Sequence, residues 1–369
     1  MPAVLLRKRN IWLAAALFYV FVFVYYFDFL STGGSKEVGK AEPVQEDRQA
    51  QEDVDVETEA AAIITWLESK SFVANVKDEP IVPGEKVYFH PLDPVFPLSG
   101  DLKAPSPGFE LGQIPKNADV VIGIPTVKRQ GVSYLSQTID SLLKNQVDRS
   151  VDSRILVYVG ETDEEFLRDL SRSLQSSYRK HIEDGILQLI SPPKSYYPPW
   201  EKVLQSSFND ALERVKWRSK QNLDQIFLMM YIYNLSPKYY LMMEDDVIAS
   251  HGYIGAIMKE ANRRSMENYF YISFCNLGAI GKLFRAETLP SYASFIHTFW
   301  NKKPLDWLQL DYVASAVCSY DENAQQCNKR RELKMPPHKP SLFQHIGSVS
   351  SLQGKTQNLK DNSFKSDAI

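Results

Sequence analysis

The chain has 369 residues, with 42 Lys and Arg set against 45 Asp and Glu, a formal charge of −3 at pH 7 and 44% hydrophobic residues. That is room for one large α/β domain plus appendages, and the near-neutral balance gives no basis for nucleic-acid binding. With only three cysteines it is not a disulfide scaffold.

Arg7, Lys8 and Arg9 precede an uninterrupted apolar run from Ile11 to Phe27. At about 1.5 Å per residue such a run just crosses a hydrocarbon core. Basic residues before it and Asp28 with a net acidic stretch after it predict a short cytosolic N-terminus and a lumenal body. A cleaved signal peptide is the alternative, although no small-x-small pattern closes the run before Ser31-Thr32-Gly33-Gly34. The expected organisation is a cytoplasmic tail (1–10), a transmembrane signal anchor (11–30), a lumenal stem and linker (31–115), a folded body (116–355) and a C-terminal tail (356–369).

The stem is acidic, rich in Gln and poor in aromatic residues, a composition that cannot bury a core. ETEAAAIITWLESK within it has Ala61, Ile64 and Leu67 at helical spacing. Prolines from Glu79 to Pro115 recur too often for a long helix or central strand. The folded body then alternates: VVIGIP as a strand ended by proline, SYLSQTIDSLLKN as a helix, RILVYVGET as a strand, EEFLRDLSRSLQSSYRKHI as a helix and ILQLIS as a strand. Such alternation predicts a parallel sheet with helices on both faces. A proline-rich loop, SPPKSYYPPW, leads to a long basic-faced helix from Asn209 to Tyr233.

Next comes KYYLMMEDDVIAS, two apolar strands interrupted by Glu244-Asp245-Asp246. Three carboxylates at a strand end repel one another unless a cation or hydrogen bonds compensate, and ligands of open α/β sheets sit at such ends. A solvated turn is the plain alternative for a lone acidic string. The sequon Asn234-Leu235-Ser236 agrees with a lumenal address, with Pro237 against its use. In an oxidising lumen Cys318 and Cys327 are close enough to staple SYDENAQQ, leaving Cys275 free in an apolar stretch.

IGIPTVKR, ISPPKSYYP, ERVKWRSKQNLDQIFLMMY, EDD, LGAIGKLF, KPLDW and PSLFQHIGSVSSLQGK occur in that order. Together they resemble the catalytic domain of the N-acetylglucosaminyltransferase IV family over about Val120 to Lys355. The resemblance implies a GT-A fold, a nucleotide-binding α/β sandwich using UDP-GlcNAc and Mn²⁺. It also implies a single-pass type II Golgi membrane protein, with the ER and the ER–Golgi intermediate compartment as further stations. Carboxylates are hard ligands suited to Mg²⁺ or Mn²⁺, and a divalent ion neutralises charge developing on a diphosphate. Asp246 is then the expected metal ligand, with Glu244 and Asp245 orienting the ribose or the metal waters.

Lys128 and Arg129 are nucleotide contacts or solvated surface charges on this reading. Arg214, Lys216, Arg218 and Lys220 either neutralise phosphate or form a solvent-facing stripe. Asp306 is the candidate base that deprotonates an acceptor hydroxyl, or else a helix cap. His345 touches the diphosphate or is a satisfied buried histidine.

Three departures from the family stand out. The resemblance implies a glutamate where this chain has Ser273, and an acidic residue where it has Leu310, with Asp311 displaced by one position and hence by about 100° around a helix. A C-terminal lectin-like domain is also missing after SLQGK. These features favour the short, lectin-less type of the family, the N-acetylglucosaminyltransferase I inhibitory type. On that reading the chain has weak or no transfer activity and regulates N-glycan branching by associating with N-acetylglucosaminyltransferase I. The alternative is an active β1,4-N-acetylglucosaminyltransferase acting on the α1,3-mannose arm of N-glycoprotein acceptors. Span and stem offer a route to homo-oligomers on either reading.

Overall fold

A computed structural model describes residues 105–367 other than Gln130 and Gln353. The expected membrane anchor, the stem and its helix lie outside the described residues. Among those that are described, no helix is long and apolar enough to cross a membrane.

The element order is β1 (Phe109–Leu111), β2 (Val120–Thr126), α1 (Leu135–Asn145), β3 (Ser153–Val159), α2 (Glu164–Glu183), β4 (Leu187–Ser191), α3 (Trp200–Val203), α4 (Leu212–Asn234), β5 (Tyr239–Met242) and β6 (Val247–Ala249). It continues with α5 (Tyr253–Arg263), β7 (Ile272–Ser273), β8 (Lys282–Arg285), α6 (Leu289–Phe299), α7 (Leu305–Val317), α8 (Ala324–Lys334) and β9 (Phe343–His345). Seven strands form one sheet in the order β1-β4-β3-β2-β5-β8-β7, while β6 and β9 make a separate two-stranded sheet.

The expected parallel sheet is present only in its centre. Strands β4, β3, β2 and β5 run parallel, but β1 and β8 add antiparallel, so the sheet is mixed. The body also begins before residue 116, because Phe109–Leu111 pairs with β4 and turns part of the expected linker into an edge strand. Strand β2 runs one residue past Pro125, which lacks an N–H but keeps its carbonyl. Helices cover both faces as expected. Alternation along β2 sends Val120, Ile122 and Ile124 into one core with α1, α2 and α5, and Val121 into the other with α4, α6 and α7. Gly123 falls on the second face, where a Cβ would lie 2.7 Å from the Tyr240 ring and 2.9 Å from Ile232. Only glycine lets α4 and β5 approach this closely.

Local signals set the helix ends. Asp163 caps α2 by accepting from the Phe166 N–H at 2.8 Å, with Glu164 and Glu165 in the first turn and Lys180 and His181 in the last. Asn323 and Gln326 form a reciprocal capping box on α8. Helix α4 departs from its expected basic face, since Arg218 and Asn222 are buried in it together with its apolar side chains. Its other cations are engaged: Arg214 with Asp210 at 3.2 Å, Lys220 with Asp224 at 2.7 Å, and Lys216 over the Trp200 ring.

The expected tail is also part of the fold. Asp361 is 4% exposed and accepts from the Asn276 N–H at 2.7 Å and from the Ser341 and Ser363 hydroxyls. Further on, the His251 N–H donates to the Ser366 carbonyl at 2.8 Å. Residues 356–367 therefore form a strap over β9 and the start of α5. These hydrogen bonds hold the Asp361 carboxyl below the usual range against its partial burial.

Candidate metal centre

The end of β5 delivers Met243 and the three acidic residues, and β6 leaves in a new direction. Strand β9 then pairs with β6 in a register that sets His345 opposite Val247. The Ile346 N–H donates to the Asp246 carbonyl at 2.8 Å. In this way a histidine about a hundred positions downstream is placed beside Asp246. One ligand atom each from Glu244, Asp246 and His345 lies within 4.8 Å of the others. The His345 Nε2 is 3.3 Å from Asp246 Oδ2.

Two observations show that this cluster fits a divalent cation. Asp246 is 2% exposed, yet its Oδ1 has no hydrogen-bond partner among the described residues. A buried carboxylate oxygen without a donor is costly, and a cation would satisfy it. Beside it Gly347 leaves space: a Cβ there would lie 2.1 Å from Asp246 Oδ2. Two carboxylates and an imidazole suit Mn²⁺ or a similar ion.

The charges in the cluster act on one another. Burial first, then the neighbouring Asp246 carboxylate, push Glu244 up to about 7. Burial pulls the His345 imidazole down, but hydrogen bonding and attraction to Asp246 and Glu244 prevail and its pKa lies above the ordinary value. Nε2 faces Asp246 and the Gln357 amide at 3.2 Å, and a hydrogen bond to the backbone of Leu359 also favours the charged ring.

Asp245 is tied to its protein neighbours. Its carboxylate receives both Arg129 Nη atoms, one at 2.6 Å, and the Thr126 hydroxyl at 2.5 Å, while its carbonyl accepts from Thr138 at 2.8 Å. Arg129 is accordingly committed to the acidic string and lies 3.7 Å from Asp246 Oδ2. Lys128 is exposed, with its ammonium over the Phe166 ring.

A second group lines the neighbouring wall. Asp306 lies in the first turn of α7, but its side chain makes no cap hydrogen bond and the N-cap is Pro304. The cap reading is thus set aside. The carboxylate is open to solvent yet crowded by protein atoms, and it stands close enough to Glu244, Tyr271 and Lys282 to perturb each of them. Desolvation raises its pKa while Lys282 opposes the shift. Ser273 and Lys282 are cross-strand partners, and the Lys282 ammonium donates to the Ser273 hydroxyl at 2.8 Å and the Cys275 carbonyl at 2.5 Å. Lys282 is 5% exposed, and among the described residues no carboxylate lies within ion-pair reach of it. Asp311 instead pairs with Lys303 at 2.6 Å, and Leu310 is exposed.

Sequence reasoning missed Thr126, Thr138, Gly347, Gln357 and Lys282 as parts of these surroundings. Thr126, Lys282 and Gly347 lie inside strings already singled out, whereas Gln357 does not. Cys318 and Cys327 are disulfide-bonded with Cα atoms 5.0 Å apart, and Cys275 is a buried free thiol. Asn234 is half-buried at the end of α4, with its amide donating to the Met230 carbonyl at 2.8 Å.

These features define an α/β protein in which the end of β5 and the strand β9 bring two carboxylates and an imidazole together as a candidate cation site. The MGAT4 conserved region matches residues 86–364, and the chain belongs to that family. It is 39% identical over 280 residues to alpha-1,3-mannosyl-glycoprotein 4-beta-N-acetylglucosaminyltransferase A of Bos taurus, covering 75% of this chain and 51% of that protein. The B enzyme of Danio rerio is 38% identical over 260 residues, covering 70% of this chain and 47% of its own length. The chain thus spans about half the length of the curated relatives it matches. Among solved structures, the mannosyltransferase PcManGT from Pyrobaculum calidifontis in complex with GDP-Man and Mn²⁺ superposes with a TM-score of 0.31 at 7% identity, covering 60% of this chain and 72% of that one. At that level the likeness carries no argument.

Proposed function

We propose that this chain is a GT-A domain of N-glycan branching that binds UDP-GlcNAc with a divalent cation and transfers GlcNAc in β1,4 linkage to the α1,3-mannose arm of N-glycoprotein acceptors. The cluster of Glu244, Asp246 and His345, with its unpartnered buried Asp246 oxygen, carries the donor half of this reading. Those three side chains would hold the cation, which on binding would neutralise charge developing on the UDP leaving group. Arg129 holds Asp245, and through it the backbone of the acidic string, in a fixed position. Asp306 is the candidate base: it faces the cleft, is not consumed as a cap, and its raised pKa strengthens it as an acceptor for the proton of a sugar hydroxyl. The proposal includes a type II Golgi membrane topology with a lumenal C-terminus, supported by the basic residues before the apolar run Ile11 to Phe27.

A second reading rests on Ser273. With a hydroxyl rather than a carboxylate beside Lys282, the acceptor side has one negative charge fewer than the resemblance implies, which favours a weakly active or inactive regulator that binds N-acetylglucosaminyltransferase I. Calorimetry on the full-length chain separates the readings when paired with a transfer assay on a biantennary glycopeptide. Manganese-dependent UDP-GlcNAc binding that Asp246→Ala abolishes, with transfer that Asp306→Asn abolishes, is the expected result. Binding without transfer, with co-precipitation of N-acetylglucosaminyltransferase I, supports the regulator. No manganese-dependent binding would falsify both.

A further inference from the structure

The residue after the candidate base is one of the most exposed aromatic side chains of the fold. Trp307 is 48% exposed, and its ring meets that of Phe208, 53% exposed, at a centroid separation of 5.1 Å and an interplanar angle of 76°. Leu310, three residues on along α7 and hence on the same side of the helix, is 37% exposed. Exposed aromatic rings lose the free energy that burial would supply, so two in contact at the rim of a cleft call for a cause.

The surrounding loops are built to hold this pair out. Phe208 and Asn209 have φ of +58° and +57°, two successive non-glycine residues in the left-handed region. Such backbone is held only when its surroundings fix it, and it clusters at ligand sites. Here Arg218, 2% exposed inside α4, supplies the restraint: it pairs with Asp210, donates to the Ser207 hydroxyl at 2.5 Å, and lies under the Phe208 ring at 5.4 Å. One turn further along α4, the buried Asn222 amide donates to the Trp300 and Lys303 carbonyls at 2.7 and 2.8 Å. It thereby fixes the loop that enters α7 just before Asp306 and Trp307. Buried polar groups of one helix thus position both rings, and a core that served stability alone would not place an arginine and an asparagine there.

We propose that Trp307 and Phe208 form a stacking platform for a pyranose ring of the acceptor glycan, one sugar removed from the hydroxyl that Asp306 faces. The proposal rests on the sugar-transfer reading of the cleft. An aromatic face matches the apolar C–H face of a sugar, and the adjacent carboxylate matches its hydroxyl edge. Arg218 beneath Phe208 and the edge-on contact between the rings hold them fixed before the ligand arrives, which limits the entropy lost on binding.

The test measures two affinities on the full-length chain: manganese with UDP-GlcNAc by calorimetry, and a biantennary N-glycopeptide by saturation-transfer NMR titration. Trp307→Ala should weaken glycopeptide binding about tenfold and Phe208→Ala by less, while Trp307→Phe retains most of it. The nucleotide affinity should stay within about twofold throughout, since neither ring touches the cation cluster. Unchanged glycopeptide affinity in Trp307→Ala, or nucleotide binding with no glycopeptide binding at all, overturns the platform. So does a concentration-dependent dimer in sedimentation that Trp307→Ala dissociates without altering glycopeptide binding, because the rings would then face a second copy of the chain. Glycopeptide binding lost in Trp307→Ala with no nucleotide binding in the wild type keeps the platform and removes the transfer reading.

Discussion

Arg129 and Lys282 both interact with Glu244, and their surroundings are opposite. Arg129 holds Asp245 through both ends of its guanidinium and lies within ion-pair distance of Asp246. Lys282 has a serine hydroxyl, a backbone carbonyl and the Tyr271 ring at 5.8 Å, with Asp306 and Glu244 acting on it from beyond contact distance. The first arrangement is closed, with its charges mutually satisfied. The second leaves a desolvated ammonium without a contacting counter-ion. Arg129 therefore has carboxylate partners in contact beside the acidic string, while Lys282 has none.

The largest effect expected from this contrast is on stability. Arg129→Met strands Asp245 in a buried site and should cost about 3–5 kcal/mol in urea denaturation. Lys282→Met removes a charge with no carboxylate in contact and should change stability by less than about 1 kcal/mol, since lost hydrogen bonds offset relieved desolvation. Equal losses in the two variants would erase the distinction. The pH dependence sharpens it. Burial holds the Lys282 ammonium below its ordinary 10.5, so the folded state loses that proton before the unfolded chain does. Its cost is therefore present at neutral pH and lifts as pH rises from the folded pKa towards 10.5. The Lys282→Met variant should lack this rise in the alkaline range.

A smaller effect concerns the cation side. Gln357→Leu removes the amide that competes with a cation for the His345 Nε2 lone pair and should strengthen Mn²⁺ affinity about threefold, read by electron paramagnetic resonance. Unchanged affinity would make Gln357 a bystander. Smallest of all is Glu260, remote from both cations and held at about 2, chiefly by a hydrogen bond from Arg263 that outweighs burial. Its folded pKa lies below the unfolded one, so its contribution is present above about 4.5 and fades as pH falls towards 2. Glu260→Gln should cost no more than about 1 kcal/mol at pH 7 and remove that part of the acid dependence.

The strands and helices from Val120 to Ser191 were legible because apolar runs and helical periodicity are local properties. Strand β1 was not. Three residues with a partner eighty positions away leave no local pattern, and prolines around them pointed to a linker. Antiparallel β8 was missed for a similar reason, since alternation of strands and helices suggests direction only where a helix makes the crossover. At the site, the acidic string and His345 could be named from sequence, but their division of labour could not. Which carboxylate meets the imidazole and which meets Arg129 depends on where the backbone turns after Met243. Asp306 shows the converse: its sequence context suited a helix cap, and only the position of Pro304 left it free for the cleft.

The strap of residues 356–367 has a consequence for biosynthesis. Chain emerges from the ribosome N-terminus first, and the parallel strands can begin to pair long before the strap exists. His345 is oriented by Leu359 and Gln357, and the strap itself is anchored by Asp361. A nascent chain can therefore own its sheet and its acidic string while His345 still lacks Gln357 and Leu359. Until residues 356–367 have emerged, the candidate cation cluster lacks part of its surroundings.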